Sequence, residues 1–166
     1  VHLGIERKVT YATNETSRTF MPYLIGACDI YAAPSRLEGF GMPQVEAGAC
    51  AKPVIGINAM GMLDTLVHGE TALLANVAQK IVVNEVILPD NSGSESEHKV
   101  IFQSPRTVDY RASVHDIANY LMDLMTDSAL RENMGQAARA RVVEYFDYRV
   151  VAKQFVHIIN KKLGIK

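Results

Sequence analysis

At 166 residues, with 48% hydrophobic content, the chain has room for one ordinary domain with a real core. A formal net charge of -1 supplies no global field to gather nucleic acid or an anionic membrane, so any anionic ligand must be held by local geometry. No run of about 18 apolar residues is present to span a bilayer, and the N-terminus has no charged-then-apolar signal pattern. The cysteines Cys28 and Cys50 have neither metal-ligand nor disulfide-framework spacing and read as reduced core thiols of a cytosolic protein. Val rather than Met at position 1 reads as the start of an excised piece.

In chain order, Lys8 to Ala12 (KVTYA) has the alternation of a short strand, and TNETS after it makes a turn and a helix start. Phe20 to Cys28 predicts a short helix, with Pro22 tolerable only in its first turn, where its missing N–H would be unpaired anyway. Ile30 to Ala33 and Val54 to Ile57 are apolar runs without polar alternation, which suits strands covered on both faces of a parallel sheet. Between them a loop and a helix complete one right-handed crossover unit. Gly61 to His68 predicts a second short helix ended by Gly69, and Thr71 to Ala75 another strand. The alternation argues for an α/β domain, a Rossmann-like parallel sheet flanked by helices. Residues 78–105 break that rhythm: KIVVNEVILP and KVIFQ flank the polar DNSGSESEH, an inserted hairpin.

Ser113 opens a helix with Asp116 three positions on, and Ile117, Leu121, Leu124 and Met125 share one face. Ser128 to Tyr145 is amphipathic, and Asp147 caps a last helix running to about Lys162, whose basic end complements the helix dipole. Met122, Met125 and Met134 have core spacing; Arg131, Arg139 and Arg141 read as a solvated face. Residues 1–166 thus form one domain, with the insert at about 78–105 and the C-terminal helices at about 113–162.

The stretch "SRLEGFGMPQVEAGACAKPVIG", Ser35 to Gly56, carries the chemistry. Pro43 suits the first position of a helix, so Gly39, Phe40 and Gly41 form the loop that delivers the chain from strand to helix. Glycine lets the backbone approach a ligand, and a helix start offers unpaired N–H groups and partial positive charge. In an open parallel sheet this loop lies beyond the carboxyl ends of the strands, where ligands bind. Glu38 falls at the strand end and Glu46 in the first turns of the helix. Each carboxylate can accept two hydrogen bonds, which matches vicinal hydroxyls of a sugar or ribose; two solvated acids near a helix start is the competing account.

"PSRLEGFGMPQVEAGACAKPVIG" followed by "GMLDTLVHGETALLA" resembles the signature of group 1 retaining glycosyltransferases of the GT-B fold, with Glu-x7-Glu in an EGFG-P-EA context. The flanks KVTYAT and ARVVEYFDYRVVAKQF are similar too, with Phe146, Asp147 and Tyr148 where the family has Phe-Ser-Trp. The resemblance implies the C-terminal, donor-binding half of a hexosyltransferase. It implies that Glu46 binds the ribose hydroxyls of a nucleotide diphosphate sugar and Glu38, the catalytic candidate, holds donor-sugar hydroxyls near the anomeric carbon. Backbone N–H groups of Gly39, Phe40, Gly41 and Met42 would contact the sugar or its phosphate. Glu38 as covalent nucleophile is the alternative to a same-face reaction assisted by the leaving diphosphate.

Further candidates are Arg36, within reach of a phosphate; Gly61 and Asp64, where the family has adjacent glycines and then a glutamate; and Thr13, at a strand end near the base. Met60 replaces one of those glycines and Asp64 the glutamate. The five histidines have no metal-ligand spacing and no Asp-x-Asp occurs, so neither metal nor cofactor is expected. The implied partners are the sugar nucleotide and an N-terminal acceptor domain, with no nucleic acid, in the cytoplasm or at the membrane periphery of the full-length parent. The family's basic diphosphate residues precede this segment, so transfer by this polypeptide alone is not expected. Competing readings are a non-catalytic nucleotide-binding or interaction module, and a sugar-nucleotide epimerase or hydrolase of the same fold.

Overall fold

The computed structural model describes residues 8–10, 16–89 and 97–164. Its centre is a parallel sheet of β1 (Tyr31–Ala32), β2 (Val54–Ile57) and β3 (Ala72–Ala75), in the order β1-β2-β3. Tyr31 pairs with Val54, and Ile55 with Leu73. All four β2 residues are buried, as expected for a strand without polar alternation. One face packs Val54 and Ile57 against Ile25, Ala47, Met62 and Leu66; the other packs Ile55 against Leu124 and Met134. Helices α1 (Met21–Gly26), α2 (Met42–Ala49) and α3 (Met62–Thr65) supply the first layer, and α4 (Val114–Thr126) and α5 (Ser128–Arg141) the second. The fold is therefore an α/β three-layer arrangement.

The crossover from β1 through α2 to β2 forms where the sequence places it, with Pro43 in the first turn of α2. Lys8 to Thr10 are not in a strand, and Tyr11 to Thr13 lie outside the described residues. Helix α3 is a single turn rather than the span Gly61 to His68. Helix α5 stops at Arg141 and widens into a π-type turn, Val142–Phe146, before α6 (Tyr148–Leu163).

Ser113 Oγ accepts the Asp116 N–H at 3.2 Å, and Asp147 caps α6 by accepting the Arg149 N–H at 2.8 Å. Helix α6 buries none of its residues and leaves Val151, Phe155 and Ile158 exposed. Among the described residues no helix is long and apolar enough to cross a membrane.

Several side chains depart from the sequence reading. Met134 is core, but Met122 and Met125 are exposed, because the buried stripe of α4 runs through Leu124 and half-buried Ile117 and Leu121. Cys28 is exposed just beyond α1, and Cys50 is half-buried. The arginines are ties as well, with Arg139 exposed as expected and Arg131 and Arg141 half-buried. Arg131 donates to the Leu124 carbonyl, Arg139 to that of Ala49, and Arg141 to those of Thr65 and Asp64. Each reaches the C-terminal turn of another helix, whose carbonyls have no partner within that helix.

The insert is longer than its expected bounds. Strands β4 (Val77–Pro89) and β5 (Glu97–Ala112) pair antiparallel with each other as a long ribbon, separate from the central sheet. The turn residues 90–96 lie outside the described residues. At its base the Tyr110 N–H donates to the Arg36 carbonyl at 2.8 Å, and the Ser113 N–H to that of Asn76 at 2.8 Å.

Candidate functional site

The loop from β1 to α2 begins at the carboxyl end of the sheet and passes Arg36, Glu38, Gly39 and Phe40 before Gly41. Gly41 adopts φ +89, the left-handed region that glycine enters without a Cβ penalty, and there it turns the chain into α2. The resulting bend lets Glu38 fold back: its Oε1 accepts the Gly41 N–H at 3.1 Å and the Phe40 N–H at 3.4 Å. The carboxylate thus sits against the amino end of α2, where unpaired amides and the helix dipole favour negative charge. Two of the four amides read from the sequence as ligand donors, those of Phe40 and Gly41, hold Glu38 itself.

A second turn supports the loop from below. The Glu38 N–H points at the Met60 sulfur, 3.4 Å away, and the Glu38 carbonyl accepts the Gly61 N–H at 3.3 Å. Met60 has φ +57, a left-handed position, which explains why glycine suits it better. A Cβ on Gly61 would stand 2.2 Å from the Gly39 carbonyl oxygen, so two backbones meet here with no space for a side chain. Asp64 follows on α3 with an exposed side chain, and its carbonyl accepts from Arg141.

Glu46 lies one turn into α2, exposed, on the wall of a cavity of about 400 Å³. Arg18, Met21, Ile25, Met42 and Cys50 line the rest, so the cavity runs between α1 and α2, apolar with one cation and one anion. Tyr31, the first residue of β1, is half-buried; burial is the first cause that raises its hydroxyl pKa, followed by the electrostatic influence of Glu46, Cys28 and Glu38. Phe40 turns outward and meets Phe146 edge-to-face, ring centres 5.8 Å apart, and the Arg141 guanidinium lies over that second ring.

Arg36 does not stand free. Its Nε donates to Asp109 Oδ1 at 2.8 Å and its Nη2 pairs with Oδ2, a two-point fork to the ribbon. These contacts hold Asp109 below the usual carboxylate range, the Arg36 hydrogen bond being the largest cause. Gln44, inside α2 and 1% exposed, has no partner for its Oε1 among the described residues. Tyr31, Asp109 and Gln44 were not legible as site residues: Tyr31 reads as a strand residue, Gln44 as a helix residue, and Asp109 lies 73 positions from its partner. Thr13 lies outside the described residues.

Chemically, this arrangement offers an exposed carboxylate beside a cavity and a second carboxylate on a helix-start amide cluster. Such a set can accept hydrogen bonds from a polyol and donate backbone hydrogen bonds to an anion.

The family model for glycosyl transferases of group 1 matches residues 2–89. A capsular polysaccharide biosynthesis glycosyltransferase, CapM of Staphylococcus aureus, is 26% identical over 132 residues, covering 80% of this chain and 26% of that protein. Among solved structures, sucrose-phosphate synthase from Thermosynechococcus elongatus superposes with a TM-score of 0.70 at 20% identity, covering 98% of this chain and 32% of that one. HepE from Anabaena, in complex with UDP and glucose, superposes with a TM-score of 0.67 at 22% identity, covering 95% of this chain and 33% of that one. At such identities the likeness speaks to the fold, that of the C-terminal half of a GT-B enzyme. The chain spans about a quarter to a third of the length of the curated relatives it matches.

Proposed function

The chain belongs to the group 1 glycosyl transferases, and from that premise we propose that it is the donor-binding part of an enzyme that moves a sugar, with retention, from a nucleotide diphosphate sugar to an acceptor hydroxyl. The observation that carries this reading is the placement of Glu38 on the Phe40 and Gly41 amides at the amino end of α2, with Glu46 one turn further on lining the cavity between α1 and α2. Support also comes from a fold neighbour, HepE, whose solved structure contains UDP and glucose.

In this reading the exposed Glu46 carboxylate accepts hydrogen bonds from the two ribose hydroxyls, with the cavity between α1 and α2 beside it. The amides of Phe40 and Gly41, with those of Gly39 and Met42, face the sugar and its phosphate. Since Glu38 holds two of these donors, donor binding exchanges one anionic acceptor for another. Glu38 is then released to take the sugar hydroxyls near the anomeric carbon and to stabilise positive charge developing there. The leaving diphosphate oxygen receives the acceptor proton as the new glycosidic bond forms on the same face. The rest of the parent polypeptide supplies the acceptor side, and the uncovered apolar face of α6 is the kind of surface a second domain buries.

The test is a calorimetric screen of nucleotide diphosphate sugars against this chain and its full-length parent, with Glu46→Ala beside it. Removing a charged hydrogen-bond acceptor should weaken binding by roughly tenfold to a hundredfold. Glu38→Gln in the parent should abolish transfer and spare nucleotide affinity. Unchanged binding by Glu46→Ala, or full transfer by Glu38→Gln, refutes the assignment.

A further inference from the structure

The geometry points to Asp109, carried by the β4–β5 ribbon, as a positioning residue for the loop that bears Glu38, acting through Arg36. Asp109 is 5% exposed, although a buried carboxylate is costly unless paired and hydrogen-bonded. Its compensation is the two-point fork from Arg36, with Arg111 Nε farther away at 3.5 Å. One residue on, the Tyr110 N–H donates to the Arg36 carbonyl at 2.8 Å, so both backbone and side chain of Arg36 are fixed to β5. Arg36 stands two positions before Glu38.

The other flank of the loop is fixed by the Met60 sulfur and the Gly61 N–H, which engage the Glu38 backbone directly. The loop is therefore gripped from both sides, by the Met60–Gly61 turn and by the ribbon. A carboxylate that must exchange its oxygen between loop amides and a sugar needs its backbone held, since a displacement of about 1 Å at a reacting group costs on the order of a hundredfold in rate. Asp109 does this at a distance: it holds Arg36, and Arg36, two positions before Glu38 in the same loop, sets where Glu38 begins its turn.

The role of Asp109 in transfer rests on the function proposed above, so the first experiment leaves that function out. Amide hydrogen exchange is measured on this chain without ligand, comparing Asp109→Ala with the parent sequence. The Gly41 amide, which Glu38 protects, should exchange about tenfold faster, while Ile55 in the core sheet stays as slow as before. Equal protection at Gly41 overturns the inference. If Asp109→Ala does not fold, Asp109→Asn, which keeps the shape and loses the charge, is read by the same criterion.

The second experiment is a double-mutant cycle in the full-length enzyme with Arg36→Ala and Asp109→Ala. Each single change should lower kcat by about tenfold or more and leave KM for the donor nearly unchanged, with the double variant no worse than the poorer single. Multiplying effects, or a loss confined to KM, overturns the coupling. Should Glu46→Ala bind nucleotide normally while Gly41 still loses protection in Asp109→Ala, the functional reading fails and the positioning stands.

Discussion

Gly61→Ala is the sharpest perturbation available, because it adds one methyl group where the structure has none to spare. The new Cβ would lie 2.2 Å from the Gly39 carbonyl oxygen, 2.5 Å from its carbon and 2.6 Å from the Phe40 Cα. All three are backbone atoms, so no side chain can swing aside. Real Cβ contacts essentially never fall below 3.0 Å, and the loop carrying Glu38 must therefore retreat by about 0.8 Å or α3 must move as far. Overpacking of this kind costs about 1–3 kcal/mol, and a shift near 1 Å at Glu38 should lower transfer by on the order of a hundredfold.

Urea denaturation of the chain measures the first effect and sugar transfer by the full-length enzyme the second. Gly39→Ala is the paired control for stability, since its Cβ would meet nothing within 4 Å. That change should leave the urea midpoint within about 0.5 kcal/mol of the parent. If Gly61→Ala is as stable and as active as the parent, the close backbone approach is not a constraint and the account of this loop fails.

Gly135→Ala should also destabilise, against helix propensity. Alanine gains about 1 kcal/mol in the interior of α5, but its Cβ would sit 2.2 Å from the Ala51 carbonyl oxygen, and a net loss of about 1–2 kcal/mol is expected in urea. Ala51→Gly should act in the other sense. Ala51 follows the cap of α2 at φ +55, where a left-handed alanine is strained, so glycine should add about 0.5–1 kcal/mol; a lower urea midpoint would count against this.

The acid limb of stability should depend on Asp109 and Asp116, whose folded pKa values are both lowered. The Arg36 hydrogen bond is the main cause for the first, and the Asn76 backbone N–H for the second. A depressed carboxylate contributes fully above the unfolded value of about 3.9 and loses its contribution as pH falls through the folded value. Thermal midpoints measured from about pH 5 to pH 2 should thus fall less steeply in Asp109→Asn than in the parent, and parallel curves would refute the pairing.

The outcome of reading the sequence first follows the range of the forces involved. Local rules located the crossover from β1 to β2 and the start of α4, because an apolar run, a proline at a helix start and a capping serine each act within a few residues. They failed where a long-range partner decides. Arg131, Arg139 and Arg141 carry no local mark of the carbonyls they reach, and the stripe of α4 excludes Met125 only because the sheet lies on the side of Leu124.

The site divides in the same way. Gly41 and Glu46 could be placed at a helix start from spacing alone, because backbone geometry there is local, whereas Glu38 lies in the loop six residues past β1 rather than at the strand end. That Glu38 turns back onto its own amides was not legible, since the turn depends on Gly61 pressing from α3 and on Arg36 being drawn to β5. Among the described residues, the two non-glycine positions at positive φ, Met60 at φ +57 and Ala51 at φ +55, are places where a side chain is kept at a backbone cost. Met60 returns something for that cost, a sulfur against the Glu38 N–H, whereas the structure records no hydrogen bond to a side chain at Ala51. Strain is therefore tolerated with a local benefit beside Glu38 and without one at the far end of the same helix, which is why relief at Ala51 should stabilise the chain while leaving the Glu38 loop where it is.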